Sequence, residues 1–297
     1  MKSLHSIGRV VRRETLLLCL SGLSACRADA TTRSAPAAAP IALASTEPIA
    51  AASAAVGWDA LGGILERIRP PAFAALECNI VKYGAVAGGS EDATVAIRRA
   101  VEDCAARGGG HVLVPPGVFS TGAIHLQSNI DLHLAEGATL RFSPDPAQYL
   151  PVVLTRWEGI ECMNYSPLIY ARDAQNIAVT GKGTLDGSAG EDNWWRWARH
   201  EPNQKALAAK DIAELNRMSE AGVPVEQRVF GAGHYLRPNF IQIYSSRNVL
   251  IEGVKIVRSP MWEIHPVLSE NVTVRGVEIV SHGPNNDGSP PTRRRTY

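Results

Sequence analysis

Short stretches in which apolar and polar residues alternate recur along most of the chain. Four of them begin with an asparagine followed by strand-forming residues, at 129–132, 176–179, 248–251 and 271–274. In the last three, a glycine follows the asparagine by five places, and another apolar stretch comes after the glycine. The interval from Asn248 to Asn271 is 23 residues, and that from Asn129 to Asn176 is 47 residues, close to twice as long. The chain therefore carries a repeat with a period in the low twenties.

A repeat of this length built from short strands, with asparagine at the turns, is typical of a solenoid. Alternation with period two points one face of each strand inward, and no single turn can bury that face without its neighbours. Leucine-rich repeats have a similar period, but their leucine ladder and helical return are absent from this sequence. The pattern predicts an all-β fold, a single-stranded right-handed parallel β-helix.

Two segments of the chain have a helical pattern instead. Residues 92–107 are predicted to form a helix that covers the open end of the β-helix core. Three glycines at 108–110 end it, and its apolar stripe is Ile97, Ala100, Val101 and Cys104. The interval from Asn176 to Asn248 is about 49 residues longer than one period. The excess lies in 188–235, where strong helix formers at 204–219 predict a helical insertion beside the cylinder.

The N-terminus reads as an export signal over residues 1–26, because basic residues precede a short apolar run and a small-residue stretch. The run Leu16–Leu20 is too short for a permanent membrane span. Residues 23–26 resemble a bacterial lipobox that would lipidate Cys26, although plain cleavage near Ala25 or a chance cysteine are alternatives. Residues 27–57 are rich in Ala, Pro, Ser and Thr, which predicts a flexible tether. We expect an exported protein, either periplasmic or an outer-membrane-anchored lipoprotein, with secretion as an alternative.

Composition and cysteine spacing bear on which partners and cofactors the protein is expected to have. A formal net charge of +1 argues against a nucleic-acid partner, and no broad basic field exists to attract an acidic ligand. The spacing of Cys78, Cys104 and Cys162 fits no zinc or redox motif, so neither a metal nor a cofactor is expected. A Cys78–Cys104 disulfide and buried free thiols are both compatible with the sequence. We expect a monomer whose only link to a membrane is a lipid on Cys26.

Short motifs typical of one enzyme family occur in order between Asn79 and Gly288. In the first half they are Tyr83-Gly84-Ala85, residues 92–97, Gly108-Gly109-Gly110-His111-Val112, Val114-Pro115-Pro116-Gly117 and Thr121-Gly122. They continue as residues 184–187, Trp194-Trp195, Arg237-Pro238, residues 259–262, Ile264-His265 and residues 283–288. Together they closely resemble polygalacturonase-type enzymes, the pectinases of glycoside hydrolase family 28. The resemblance runs from about Asn79 to Gly288 and is weaker in the insertion, and it implies a pectin lyase-like solenoid, which we assign to residues 58–288.

The resemblance implies hydrolysis of α-1,4-galacturonosyl linkages in pectin or polygalacturonate, with inversion. Such chemistry needs one carboxylic acid for the leaving oxygen and a carboxylate on the other side that activates water. Asp287 matches the aspartate that serves on the water side in similar enzymes, and Asn285 matches the asparagine beside it. Read without the family, Asn-Asn-Asp-Gly also favours an ordinary turn.

Aromatic and histidine side chains offer further candidates for contact with a sugar. Trp262 lies 23 residues before Asn285, one period earlier, and His265 follows it closely. These two residues could bind the sugar, or they could be a stacked aromatic and a hydrogen-bonded histidine of the scaffold. For Trp194, Trp195 and Trp197, we favour packing against the solenoid wall over a stacking platform.

The last residues, 289–297, depart from the family pattern. Similar enzymes continue with an Asp-Asp pair, a Gly-His-Gly motif and an Arg-x-Lys motif, whereas these residues have none of them and no strand pattern. We therefore expect an incomplete β-helix with an aberrant tail, and no pectin hydrolase activity from this chain. A frameshift or a truncated gene would explain the tail, and a natural short C-terminus is the alternative. A non-catalytic carbohydrate-binding β-helix on the bacterial surface is the rival function. A calcium-dependent lyase is disfavoured because the sequence offers no calcium-binding carboxylate cluster. The insertion and the Trp262/His265 segment resemble exo-acting or modified-pectin enzymes more than simple endo-acting ones.

Overall fold

The structure is a computed structural model that describes residues 57–198 and 205–286, together with the backbone of Arg295 and Thr296. The predicted export signal with Cys26, almost all of the tether, and Asp287 lie outside the described residues. Within the described ranges, no helix combines the length and the apolar character needed to cross a membrane.

Short strands dominate the fold, with a few helices between them. The helices are α1 (Leu61–Arg67), α2 (Thr94–Ala106), α3 (Trp194–Ala198) and α4 (Ala209–Glu220). The strands are β1 (Glu77–Asn79), β2 (Gly110–Val114), β3 (Gly117–Thr121), β4 (Ile124–His125), β5 (Ile130–Leu134), β6 (Ala138–Phe142), β7 (Val153–Trp157), β8 (Ile160–Asn164), β9 (Ile169–Arg172), β10 (Gln175–Gly181), β11 (Thr184–Asp186), β12 (Val229–Phe230), β13 (Ile241–Tyr244), β14 (Arg247–Glu252), β15 (Lys255–Val257), β16 (Ile264–Val267), β17 (Glu270–Arg275), β18 (Glu278–Val280) and β19 (Arg295–Thr296).

These strands form three parallel sheets that run along a cylinder. The first sheet has the order β1-β2-β5-β10-β14-β17, the second contains β3-β6-β11-β15-β18, and the third is β4-β9-β13-β16. From β2 to β18, and apart from β7, β8 and β12, successive strands lie in the three sheets in turn, and strands one coil apart are paired. The predicted parallel β-helix is confirmed.

The inward face of each sheet is a ladder of apolar side chains set by the strand register. In the first sheet the ladder is Val112, Leu132, Val179, Ile251 and Val274. In the second it is Phe119, Leu140, Leu185, Ile256 and Ile279. In the third it is Ile124, Ile169, Ile241 and Ile264. Burial of each such side chain stabilises the fold by roughly 1.5–3 kcal/mol relative to leaving it in water.

Helix α2 covers the first coil, as the sequence predicts. Its stripe, including Ile97 and Val101, is buried against the core cluster. Cys104, also on this stripe, and Cys78 on β1 are both buried and both free, so the interpretation as buried thiols holds and the disulfide is absent from this structure. Burial, followed by the neighbouring Cys78, raises the pKa of Cys104 to about 12.

Two excursions leave the cylinder at the same corner, between the second and third sheets. After β6, the chain forms the antiparallel hairpin of β7 and β8 before it enters β9. After β11, it runs through α3, α4 and β12 before it enters β13, and β12 pairs with β8. Helix α4 lies in the predicted insertion, and the insertion therefore packs beside the earlier hairpin.

The tail departs from the sequence prediction of no strand in 289–297. Arg295 and Thr296 pair antiparallel with β18, the last strand of the second sheet. An edge strand presents unpaired N–H and C=O groups, which accept any extended segment regardless of its side-chain pattern. Backbone pairing, rather than apolar alternation, accounts for this short strand.

Candidate active site

The residues that sequence analysis singled out meet at the corner from which the two excursions leave. His265 lies on β16, Trp262 lies on the approach to that strand, and Asn285 lies in the turn after β18. Asp287 follows Asn285 by two residues, but it lies outside the described part of the chain. The candidate site is therefore described up to Asn286, the residue before Asp287.

The turn before Asp287 is held by the side chain of Asn286, which is only 8% exposed. Its Oδ1 accepts from the Ser281 hydroxyl at 3.0 Å and from the Gly283 N–H at 2.5 Å. Its Nδ2 donates to the carbonyl oxygens of Ser259 at 3.2 Å and Met261 at 2.8 Å. All the hydrogen-bonding groups of this carboxamide are engaged, so Asn286 joins the turn to the preceding coil and is not free to bind a ligand.

The side chain of Asn285, by contrast, is exposed and its backbone has φ = 59°. Its Oδ1 accepts a hydrogen bond of 2.5 Å from Nη2 of Arg237. Nη1 of Arg237 donates to the carbonyl oxygens of Pro260 and Pro284, each at 2.7 Å. Arg237 is 2% exposed, and burial lowers its pKa to about 10. The guanidinium therefore remains a cation at neutral pH beneath this turn.

His265 is held in one protonation state. Its Nδ1 lies 2.9 Å from Nδ2 of Asn239 and 3.1 Å from Nε2 of Gln242. The nitrogen of Gln242 also donates to the carbonyl oxygen of Arg156, which fixes the orientation of this amide. Burial, followed by the charge of Arg156, lowers the pKa of His265 to about 4. His265 is neutral near pH 7, with Nδ1 as an acceptor and the proton on Nε2.

Trp262 contacts both His265 and the excursions. The two rings are edge-to-face with centroids 4.7 Å apart. The indole also packs on a cluster to which the hairpin contributes Trp157, helix α4 contributes Leu215 and β12 contributes Phe230. This contact supports a scaffold role for Trp262, because its ring forms part of the wall beside the site.

The three tryptophans of the insertion pack on the solenoid. Trp194 is fully buried, and Trp197 lies 4.7 Å from it and 5.3 Å from Tyr235 between ring centroids. Nε1 of Trp195 donates to the carbonyl oxygen of Ser259 at 2.8 Å. These contacts favour the packing interpretation over a sugar-stacking platform.

The sequence analysis missed the residues that support the site. Arg237 was noted only as part of an Arg-Pro motif, and Asn239 and Gln242 were not noted at all. Polar residues at 239 and 242 in the otherwise apolar run 238–244 were the available signal. Asp186, another acid of the family motifs, is paired with Arg258 of the next coil by contacts of 2.8 and 2.5 Å, so it belongs to the scaffold.

Comparison with known proteins shows which family the chain resembles. No protein-family model matches the chain. A probable polygalacturonase of Vitis vinifera is 28% identical over 247 residues, which are 77% of this chain and 43% of that protein. The crystal structure of a hyperthermoactive exopolygalacturonase from Thermotoga maritima matches with a TM-score of 0.73 and 52% identity, over 76% of this chain and 51% of that one. The chain is of the polygalacturonase type.

Two further proteins are similar to this chain. An exo-poly-alpha-D-galacturonosidase of Dickeya chrysanthemi is 28% identical over 227 residues, covering 70% of this chain and 36% of that protein. The family 28 exopolygalacturonase of Yersinia enterocolitica supports the fold, with a TM-score of 0.51 at 23% identity over 73% of this chain and 40% of that one. The polygalacturonase-type chain thus spans about half or less of the length of these relatives.

Proposed function

We propose that this chain is part of a hydrolase that cleaves α-1,4-galacturonosyl linkages of pectin with inversion, and that Asp287 activates the water in that enzyme. The observation that carries the proposal is the 52% identity to the Thermotoga maritima exopolygalacturonase, over three quarters of this chain. Asp287 follows directly on Asn286, whose buried hydrogen bonds anchor the turn to the coil before it. A base that must hold water at one face of the sugar requires such a rigid support.

The test is a reducing-end assay on polygalacturonate. Inverting hydrolysis needs an acid as well as a base, and the 297 residues contain no Asp or Glu after Asp287. Two forms are therefore compared, the 297-residue chain and a chimera continued with the part of the Thermotoga maritima protein downstream of the match. We expect activity in the chimera only, reduced about 10²-fold or more by Asp287→Asn. Binding of polygalacturonate without hydrolysis in both forms would instead favour the carbohydrate-binding alternative.

We also propose that the protein acts from the end of the galacturonan chain. The hairpin and the insertion leave the cylinder at the corner that carries Asn285, and both pack on Trp262. Walls of this kind at one side of a binding site restrict the passage of a long polymer. An exo-acting enzyme releases short products while viscosity falls slowly, so product chromatography and viscometry on the chimera distinguish the two modes. A rapid loss of viscosity at low conversion would refute exo action.

Export is the third part of the proposal. A lipobox-like stretch at 23–26 precedes the tether, an order that lets a lipid on Cys26 hold the β-helix away from a membrane. We expect mass spectrometry of the protein from membranes to find a mature N-terminus at Cys26 that carries lipid. An unmodified N-terminus, or cleavage at another residue, would refute lipidation. Cleavage at another residue near the end of the export signal would still support export.

A further inference from the structure

Three buried polar side chains lie behind the candidate site, on the segment that leads from the insertion into β13. Arg237 is 2%, Asn239 is 3% and Gln242 is 0% exposed. Burial of polar groups is costly unless they form hydrogen bonds. All three donate to the two site residues, Arg237 to Asn285, and Asn239 and Gln242 to His265.

The contact with Arg237 sets which way the Asn285 carboxamide faces. A guanidinium has donors only, so the group that receives its hydrogen bond is the amide oxygen. The NH2 group of Asn285 is consequently directed away from Arg237, on a side chain that is exposed. Asn285 thereby presents a donor, and the neighbouring cation strengthens that donor by polarising the amide.

The contacts of His265 have the same effect. Gln242 is oriented by its bond to the carbonyl oxygen of Arg156, so its nitrogen faces Nδ1 of His265. Nδ1 is therefore an acceptor, and the ring carries its proton on Nε2. Nε2 has no hydrogen-bond partner within the described ranges. The second site residue thus also presents a donor.

We propose that Arg237, Asn239 and Gln242 are positioning residues that fix Asn285 and His265 as hydrogen-bond donors, so that this corner selects oxygen acceptors, above all a carboxylate. The choice of a uronic-acid sugar as the ligand rests on the proposed function. The assignment of Asn285 and His265 as donors rests on their hydrogen bonds alone. Hydrogen bonds to a carboxylate are charge-assisted and about twice as strong as those between neutral groups.

The first test needs no ligand. In the 297-residue chain labelled with ¹⁵N at histidine and asparagine, we expect the His265 proton on Nε2 and no protonation of the ring above about pH 5. Arg237→Met is expected to shift the side-chain NH2 signals of Asn285, which are identified by their loss in Asn285→Asp. In Arg237→Met the side-chain signals of Asn286 should not shift. In the control variant Arg275→Met, a substitution at an exposed position, the side-chain signals of Asn285 should not shift. If Arg237→Met does not fold, Arg237→Lys, which keeps the charge but not the fork, takes its place.

The second test measures affinity for trigalacturonate and for its carboxyl-reduced analogue by calorimetry. Asn285→Asp replaces the outward donor by an acceptor, so we expect about tenfold weaker binding of trigalacturonate and less than twofold change for the neutral analogue. Arg237→Met should lower the ratio of the two affinities. Gln175→Glu, the same amide-to-carboxylate change on the first sheet, should leave that ratio unchanged.

Several outcomes would overturn the inference: a His265 proton on Nδ1, unchanged Asn285 signals in the Arg237 variant, or equal loss of affinity for both sugars in Asn285→Asp. If the unaltered chain binds neither sugar, the choice of galacturonate as ligand fails together with the proposed function. In that case the ¹⁵N signals of His265 and Asn285 still show whether the two donors are fixed.

Discussion

Asn285 and Asn286 are chemically identical neighbours with different surroundings. The carboxamide of Asn286 is buried and makes four hydrogen bonds, three of them with backbone groups. The carboxamide of Asn285 is exposed and has its oxygen tied to Arg237. One residue therefore stabilises the turn, and the other is available to a ligand, because a single step along the chain reverses which side chain faces the interior.

We predict that Asn286→Ala lowers the free energy of unfolding by about 2 kcal/mol or more, since it leaves buried carbonyl oxygens and an N–H group without partners. Urea unfolding followed by circular dichroism measures the change. His282 is exposed in the same turn, so His282→Ala should cost no more than about 0.5 kcal/mol. Equal effects of the two substitutions would show that the turn does not depend on Asn286.

His265 makes stability depend on pH in a defined direction. Its pKa is about 4 in the folded protein, whereas an unfolded histidine titrates near its usual value of 6.5. As the pH falls from 6.5 toward 4, the unfolded state takes up a proton that the folded state does not, so stability is lost. We expect about 1 kcal/mol, after allowance for the solvent that reaches the ring.

Unfolding measured at pH 7 and pH 4.5 tests this expectation. His265→Gln should show a smaller loss of stability between these two pH values than the unaltered chain. His282→Gln serves as the control and should retain the full loss. An identical pH dependence in all three proteins would contradict the buried, neutral state of His265.

At the scale of elements, the repeated asparagines form a ladder across the first sheet, close to where four of its strands begin. Asn176 donates to Asn129 at 3.0 Å and accepts from Asn248 at 2.9 Å, and Asn271 donates to Asn248. All four have a positive φ between 51° and 64°. Asparagine is the side chain that tolerates this backbone and also bonds to its own copy in the next coil. The repeat is therefore explained by both conformation and stacking.

We predict that Asn176→Ala lowers the free energy of unfolding by about 2–3 kcal/mol, because it removes two hydrogen bonds and because alanine tolerates the positive φ of this position less well than asparagine does. Asn176→Gly should recover about 1 kcal/mol of this loss, because glycine adopts the positive φ without strain. Gln175→Ala, at the neighbouring exposed position, is the control. Equal stabilities of the Ala and Gly variants would show that backbone strain plays no part.

Helix α2 caps the first coil through its apolar stripe. Ile97 is 1% exposed, whereas Val95 on the other face is 46% exposed. We predict that Ile97→Ala costs about 2–4 kcal/mol and Val95→Ala less than about 0.5 kcal/mol, measured by denaturant unfolding. A cost below 1 kcal/mol for Ile97→Ala would mean that the core does not require this cap.

At the scale of the molecule, the described coils share one apolar interior, and the two excursions and the candidate site share one corner. Insertions in a solenoid collect on one face because the sheets leave only the turns free to lengthen. The corner between the second and third sheets is where the turns are longest. The wall beside the site and the site itself are therefore products of the same turns.

We predict that the β-helix is independent of residues 27–56. Trypsin is expected to cut first after Arg27 or Arg33, because the segment that holds them lacks the apolar side chains needed for a packed core. Mass spectrometry of the resistant product should find residues 57–286 retained. First cuts inside the coils, with Arg33 intact, would contradict this organisation.

Sequence alone determined the architecture, because the relevant information is local. Alternation with period two fixes which side chains of a strand face inward, and the stripe of α2 has the period of a helix. Both signals lie within a few residues, so the β-helix, its cap and the position of the insertion were predictable. The family motifs likewise located Asn285 and Asp287 in the chain.

Tertiary structure decided how the site is held. Arg237 reaches Asn285 across 48 positions, and Asn239 reaches His265 across 26, so no local pattern links either pair. These contacts depend on where the chain re-enters the cylinder after the insertion and on the stacking of consecutive coils. Which of two adjacent asparagines is exposed, and on which nitrogen His265 carries its proton, follow from that stacking, because the buried donors of Arg237, Asn239 and Gln242 find acceptors on Asn285 and His265.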